Sequence, residues 1–304
     1  MWSARSLTLF GRVLITKTPG ISQIIYSASN IEVPDTIAGT LKKKLFNFTW
    51  QKKDKIKHTV VYQDLGKGGL LRMTDVDLLC KALGLAWIPR LLNSGDKNWC
   101  SVPNYHFRKQ GGLNVLLKCN YETKLFSQLP AFYKNILQSF QELKLLYSYD
   151  KANDLVLYNK EIQVDQKTVY LSKWMEKGIV SVKDLLKEDG SYLSFWEFKG
   201  KFSCNTNFIQ YYQIISAIPK QLRLKARQIE AVNNQFFTSN DHLFLFNRNF
   251  ILNLDKAKSR DFYKLFFNKT RNRGQTAPKR WSKLLPLNDE HWAKLFKMTW
   301  KLCN

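Results

Sequence analysis

Carboxylate pairs are the first candidates for chemistry, because polymerases and nucleases hold two metal ions between neighbouring Asp and Glu side chains. The sequence contains no Asp-Asp dipeptide, and its closest carboxylates are Asp75 with Asp77 and Asp289 with Glu290. Each pair comes just before an apolar helical pattern, where acidic side chains interact favourably with the free amides and the dipole of a helix start. We therefore predict helix starts at both pairs and no catalytic residue.

Cysteine and histidine lack the spacing of a zinc site or of a nucleophilic triad. Neither C-x₂-C nor H-x₃₋₅-H occurs, and Cys100 with His106 is the one close Cys/His couple. We expect Cys100 to pack beside Trp99, with His106 on a loop, and we predict no metal and no cofactor in this chain. An enzyme whose distant residues converge on an active site, with Asp75 or Asp77 as metal ligand, stays an alternative.

Positive charge is the strongest chemical signal. The chain carries 48 Lys and Arg against 24 Asp and Glu, a formal net charge of +24. A surplus of this size favours a polyanionic partner, and neutralisation of phosphates by Lys and Arg supplies most sequence-independent affinity for nucleic acid. The cations are clustered at Lys42–Lys44, Lys52–Lys57 and Lys269–Lys283. The rings of Phe46 and Phe48 lie beside the first cluster, and we expect them to pack in the core rather than to stack on bases.

The first basic residues fall in segments with helical periodicity. In Arg5–Lys17, Phe10 and Leu14 share one face, whereas Arg5 and Arg12 share another. A second helix is predicted to begin at Asp35, with Lys42–Lys44 on its solvent side. The residues of its predicted buried stripe are Ile37, Leu41, Leu45 and Phe48.

Later elements are read from caps and periodicity. A capping box of Thr74 and Asp77 is predicted to open a third helix, and one of Ser194 and Glu197 a later helix. Further predicted helices are Pro130–Tyr147, Thr206–Ile218 and Asp255–Asn268. The alternating segment Leu155–Leu171 predicts a short hairpin, and Val232–Asn253 a loop with a strand-like core.

These elements predict a mainly α fold with a minor β-hairpin. The segment Asn93–Gly112 is rich in Gly, Asn and Pro, so we predict two domains, residues 1–105 and 106–304. No apolar run approaches the roughly 20 residues of a membrane span, and no membrane partner is predicted. The five cysteines are scattered and odd in number, which indicates a reducing compartment such as the nucleus or cytoplasm.

An ordered set of segments resembles the polyprotein of non-LTR (LINE-type) retrotransposons. Trp2–Lys17 is similar to the helix that opens the thumb after the reverse-transcriptase palm in that family. The other segments that carry the resemblance are Phe46–Trp50, Lys67–Leu70, Met73–Asp77, Ala82–Leu92, Trp174–Ile179, Asp184-Leu185 and Trp281. Residues 1–30 lack acidic side chains as a mitochondrial presequence does, but their similarity to the interior of a larger protein disfavours that alternative.

The resemblance covers nearly the whole chain but implies only part of the family's function. The palm aspartates, the Mg²⁺ they bind, the endonuclease and the C-terminal Cys/His module have no counterpart in this sequence. The matched parts are the helical thumb, residues 1–105, and the mostly helical post-thumb (wrist-like) region, residues 106–304. In the family these parts grip the template–primer duplex and the template RNA.

We therefore expect a fragment of an RNA-directed DNA polymerase that binds RNA, RNA–DNA hybrid or DNA through phosphates and is not catalytic alone. The alternative is a stand-alone basic structural or interaction protein that binds an acidic partner. The residues predicted to contact nucleic acid are Arg5, Arg12, Lys17, Lys42, Lys43, Lys52, Lys53, Lys55, Lys57, Lys269, Arg271, Arg273, Lys279, Arg280 and Lys283.

Overall fold

Helices dominate the computed structural model, which describes residues 7–50, 61–62, 73–93, 97–118, 129–146, 155–224, 244–247, 250–270 and 287–302. In chain order the helices are α1 (Leu9–Ile15), α2 (Ser22–Asn30), α3 (Asp35–Trp50), α4 (Val76–Leu85), α5 (Trp87–Leu92), α6 (Ser101–Arg108), α7 (Leu113–Lys118), α8 (Ala131–Leu146), α9 (Ser172–Glu176), α10 (Phe195–Phe202), α11 (Phe208–Ala217), α12 (Ser259–Thr270) and α13 (Asp289–Leu302). Two antiparallel hairpins complete the described part, formed by β1 (Gln163–Val164) with β2 (Lys167–Thr168) and by β3 (Phe244–Asn247) with β4 (Phe250–Asn253). The prediction of a mainly α fold with a minor hairpin is confirmed.

The described residues form two compact units. The first unit joins the residues up to Trp87 with those from Ala257 onwards, and the second runs from Ile88 to Lys256. The position predicted as a domain boundary, residue 105, lies within α6 of the second unit. The first unit is therefore built from two segments that are far apart in the chain.

The first helical segment continues past the predicted end at Lys17. The hydroxyl of Thr8 caps α1 by accepting a hydrogen bond from the amide of Gly11 at 3.2 Å. Because Pro19 has no amide hydrogen to donate, the backbone widens into a π-helical turn over Thr16–Ile21 before α2 begins. A proline that ordinarily ends a helix is thus absorbed by a wider turn.

Helix α3 begins at Asp35 as predicted, but its buried stripe differs from the prediction. Ala38, Phe46 and Thr49 are buried, whereas Ile37 is 53% exposed. The ring of Phe46 packs edge-on against Tyr62, with the centroids 5.7 Å apart. Lys42 therefore lies on the inner face of α3, although it was predicted on the solvent side.

The core of the first unit surrounds these helices. One buried cluster contains Val13, Phe46, Val61, Tyr62 and Met73, with Leu9, Leu45, Trp50 and Phe267 packed against it. Helix α4 contacts α2, α3 and α12, and its Ala82 and Leu85 are completely buried. On α12, Phe262 and Phe266 are also completely buried. These two rings belong to the later of the two chain segments.

The second unit has its own core and confirms several predicted elements. Phe140 and Leu143 of α8 are completely buried in the predicted register. The predicted hairpin in 155–171 forms, and Asp165 and Gln166 of its turn adopt left-handed backbone angles. Trp174 of α9 is 1% exposed, and its indole N–H donates to the hydroxyl of Thr206 at 2.8 Å.

Candidate nucleic-acid interface

Most residues predicted to contact nucleic acid lie outside the described part of the chain. The predicted residues that lie outside it are Arg5, Lys52, Lys53, Lys55, Lys57, Arg271, Arg273, Lys279, Arg280 and Lys283. Lys269 belongs to α12, and its side chain is not described. Among the predicted contacts, the structure therefore describes the side chains of Arg12, Lys17, Lys42 and Lys43.

Arg12 is oriented partly towards α3. Its guanidinium is half-buried and donates from Nη1 to the backbone carbonyl of Thr49 at 3.4 Å. The neighbouring Thr16 is buried and its hydroxyl donates to the carbonyl of Arg12 at 2.9 Å, while Leu14 is 61% exposed. The face predicted to be basic is thus the more enclosed one, because the polar side chains of Thr16 and Thr49 pack between the two helices. Lys17 is half-buried within the π-helical turn.

Lys42 pairs with a carboxylate inside the first unit. Its Nζ lies 3.0 Å from Oδ2 of Asp77, and the two side chains are 24% and 40% exposed. The same Nζ lies 5.9 Å from the ring centroid of Tyr62, within the range of a cation–π contact. The positive charge of Lys42 is therefore neutralised locally.

Lys43 and Lys44 differ from Lys42 in their surroundings. Both are exposed on α3, and no described carboxylate lies within ion-pair distance of either. An exposed amine of this kind is accessible to a phosphate of a nucleic acid. Within this cluster the fold leaves the second and third lysines available.

Asp75 and Asp77 start α4. Asp75 is the N-cap residue, and its carboxylate accepts from the amide of Asp77 at 3.1 Å. Its own amide donates to the hydroxyl of Tyr263 at 2.9 Å. The predicted helix start is confirmed, with Asp75 rather than Thr74 as the cap. Burial and the charge of Asp77 raise the pKa of the Cys80 thiol to about 11, so this thiol is protonated at neutral pH.

The predicted Cys/His couple lies within packed structure. Cys100 is 1% exposed at the start of α6. His106 lies in helix α6 and not on a loop as predicted, and its ring centroid is 5.5 Å from that of Tyr105 and 5.8 Å from that of Tyr133. Among the residues that the structure describes, no three His, Cys, Asp or Glu side chains come together as metal ligands.

An aromatic surface on α10 and α11 was not predicted from the sequence. Trp196 is 73% exposed, Phe208 52% and Tyr212 43%. Phe195 is buried between them, with its ring centroid 5.4 Å from that of Trp196 and 5.3 Å from that of Phe208. The centroids of Phe208 and Tyr212 are 4.7 Å apart. We call Trp196, Phe208 and Tyr212 the aromatic surface.

Hydrogen bonds around the two helices support the aromatic surface. Ser194 and Glu197 form the predicted capping box at the start of α10. The hydroxyl of the buried Tyr211 donates to the carbonyl of Leu193 at 2.6 Å and so ties α11 to the segment before α10. The sequence did carry a signal for this surface. Adjacent aromatic residues at 195–196 on α10 and at 211–212 on α11 point in different directions, so one buried face of each helix cannot cover them all.

One exposed lysine lies beside the aromatic surface on α10. Lys199 follows Trp196 by three positions on the same helix and is exposed, so the two side chains are neighbours. The carboxylate of Glu197 is paired, with Oε1 2.8 Å from Nζ of Lys187. That contact and the hydrogen bonds from Ser194 lower the pKa of Glu197 to about 2. The carboxylate next to Trp196 in the sequence is thus already paired, whereas the described ion pairs do not include Lys199.

No protein-family model matches the chain, and no curated protein is found that is similar to it. No described helix is both long enough and apolar enough to cross a membrane.

Proposed function

We propose that this chain binds nucleic acid through phosphate contacts, as the thumb and post-thumb part of a LINE-type reverse transcriptase, and that it supplies no catalytic residue. The observation that carries the proposal is the net charge of +24, together with exposed amines such as Lys43 and Lys44. The resemblance of the ordered segments adds the family and the substrates, template RNA and template–primer duplex.

The roles of individual cations follow from their surroundings. Lys42 contributes to the stability of the first unit, because its charge is already paired with Asp77. Arg12 uses one of its five N–H donors on Thr49, which leaves others for a phosphate. The Lys52–Lys57 and Lys269–Lys283 clusters supply contacts along the backbone of an RNA strand.

The proposal is tested by binding of the purified chain to labelled RNA–DNA hybrid, single-stranded RNA and duplex DNA across a salt series. We expect binding that weakens steeply with salt and is strongest for hybrid or RNA. Replacing Lys279 and Arg280 by Ala should weaken binding to all sequences alike. It should flatten the slope of log K against log salt by about 0.9 for each lost phosphate contact on duplex DNA.

A matched control removes the same charge from cations that pair within the fold. In Lys42→Ala/Lys294→Ala both lost amines have carboxylate partners, Asp77 and Glu290, so the slope should stay close to that of the parent chain. An equal flattening in both double variants would show that net charge, not contact, determines binding. No binding by a folded sample would overturn the proposal and favour an acidic protein partner.

A further inference from the structure

We propose that the aromatic surface of Trp196, Phe208 and Tyr212 binds the unpaired bases of a single-stranded RNA, with Lys199 on an adjacent phosphate. This inference rests on the proposed function and deepens it. It assigns recognition of single strands to α10 and α11, and it separates that recognition from the phosphate contacts made by the basic clusters.

The rings of the aromatic surface are exposed although burial would stabilise them. A side chain of Trp gains most from burial of its large apolar area, yet Trp196 is the most exposed of the three at 73%. Phe208 and Tyr212 lie on successive turns of α11 and stay 52% and 43% exposed. The three rings thus keep a large part of their surfaces accessible, and Trp196 and Phe208 both contact the buried Phe195.

The two helices that carry the rings are packed against each other in the free chain. Stacking gains most when the platform is ordered before the ligand arrives, because less entropy is then lost on binding. The capping box of Ser194 and Glu197 fixes the start of α10. Contacts of Phe195 with Phe208 and with Tyr211 join the two helices. The platform is therefore preformed.

The charge beside the aromatic surface favours a polyanion as its ligand. Proteins that bind single strands without sequence preference combine exposed rings, which stack on bases, with cations that follow the backbone. Lys199 is exposed one turn after Trp196 on α10, and the carboxylate of Glu197 is paired with Lys187. A polyanion with unpaired bases can stack its bases on the rings and place a phosphate on the lysine amine. Bases in a duplex are stacked on each other and do not present their faces to such a surface.

The test compares Trp196→Ala with the parent chain on three probes: single-stranded oligo(U) RNA, an RNA–DNA hybrid of equal length, and an abasic oligonucleotide with the same number of phosphates. We expect a loss of roughly tenfold in affinity for oligo(U) and little change for the other two. The salt slope should not change, since no phosphate contact is removed. Trp196→Phe should retain most of the affinity, whereas Trp196→Leu should not.

Tyr26→Ala is the matched control, because Tyr26 is 80% exposed on α2 and outside the aromatic surface. Equal oligo(U) affinity in Trp196→Ala and Tyr26→Ala would overturn the inference, while hybrid binding by the parent chain would leave the proposed function intact. If the parent chain binds none of the probes, the proposed function itself fails. A concentration-dependent self-association that Trp196→Ala abolishes, with RNA binding unchanged, would assign the surface to a second copy of the chain.

Discussion

The surroundings of individual lysines decide what each can do. Lys42, Lys43 and Lys44 are adjacent in sequence, yet only Lys42 lies on the inner face of α3. There it meets Asp77 at 3.0 Å and the ring of Tyr62. Because a charge that is paired and partly desolvated contributes little to the outer field, the three residues have different roles. Cations that are adjacent in sequence therefore do not all contribute to the binding of a ligand.

Glu197 makes stability depend on pH in a defined direction. Its folded pKa of about 2 lies below the ordinary value of about 4.3, so its stabilising contribution is fully present above that ordinary value and is lost as the pH falls towards 2. We expect Glu197→Gln to lower the free energy of unfolding at neutral pH, because the amide cannot form the ion pair with Lys187. The difference from the parent chain should shrink as the carboxylate is protonated.

Urea unfolding of both chains at a series of pH values measures this difference. Glu188→Gln is the control, since Glu188 is an exposed carboxylate nearby in sequence. A gap between the parent chain and Glu197→Gln that stays constant down to about pH 2 would contradict the assigned role of the ion pair.

At the scale of elements, a close approach of two segments depends on one glycine. Gly111 has a φ of +97°, and a Cβ built there would collide with the sulfur of Met175. Gly112 has a φ of +88° with no described atom within 4 Å of its Cβ position. The two glycines thus share the backbone constraint and differ in their neighbours.

We expect Gly111→Ala to destabilise the second unit more than Gly112→Ala does. Both substitutions impose the cost of a left-handed L-residue, about 1–2 kcal/mol. Only the first also requires the thioether end of Met175 to move, which adds a small further cost because a methionine side chain is flexible. Chemical denaturation of the two variants measures the difference. Met175→Ala in the Gly111→Ala background should recover part of it, and no recovery would argue against the collision.

The sequence predicted the elements better than the faces they bury. Periodicity and caps identified α3, α8, α10 and α11, because local hydrogen bonding and apolar spacing are encoded nearby. The inner face of α3 was misassigned, because Phe46 rather than Phe48 meets Tyr62 and Lys42 finds a partner 35 positions away. The aromatic surface was missed for the same reason, since exposure of Trp196 is decided by what packs against it.

At the scale of the whole molecule, the first unit depends on a distant segment. Lys81 of α4 places its Nζ 5.8 Å from the ring centroid of Phe266 on α12, and Phe266 is completely buried. No local pattern in residues 1–87 indicates that their cover comes from beyond residue 256. Local sequence patterns therefore predict helices of this unit, but they do not predict that helices from the two distant segments pack together.

We expect Phe266→Ala to destabilise the first unit by about 3–5 kcal/mol, the usual cost of a cavity left by a buried ring. Amide hydrogen exchange should then accelerate in α4, although the substitution lies on α12. Lys264→Ala is the control, because Lys264 is exposed on the same helix. Unchanged exchange in α4 of a folded Phe266→Ala chain would contradict the packing of α12 on α4.

The two-segment build of the first unit also has a consequence for synthesis on the ribosome. Helix α4 is translated before α12, which packs on it, and the whole span from Ile88 to Lys256 is translated between them. At about 5–20 residues per second, this delay is on the order of 10 s. During that time α4 can pack on α2 and α3 but the part of it that contacts α12 has no native cover, so a nascent chain paused within the second unit is the form most in need of a chaperone.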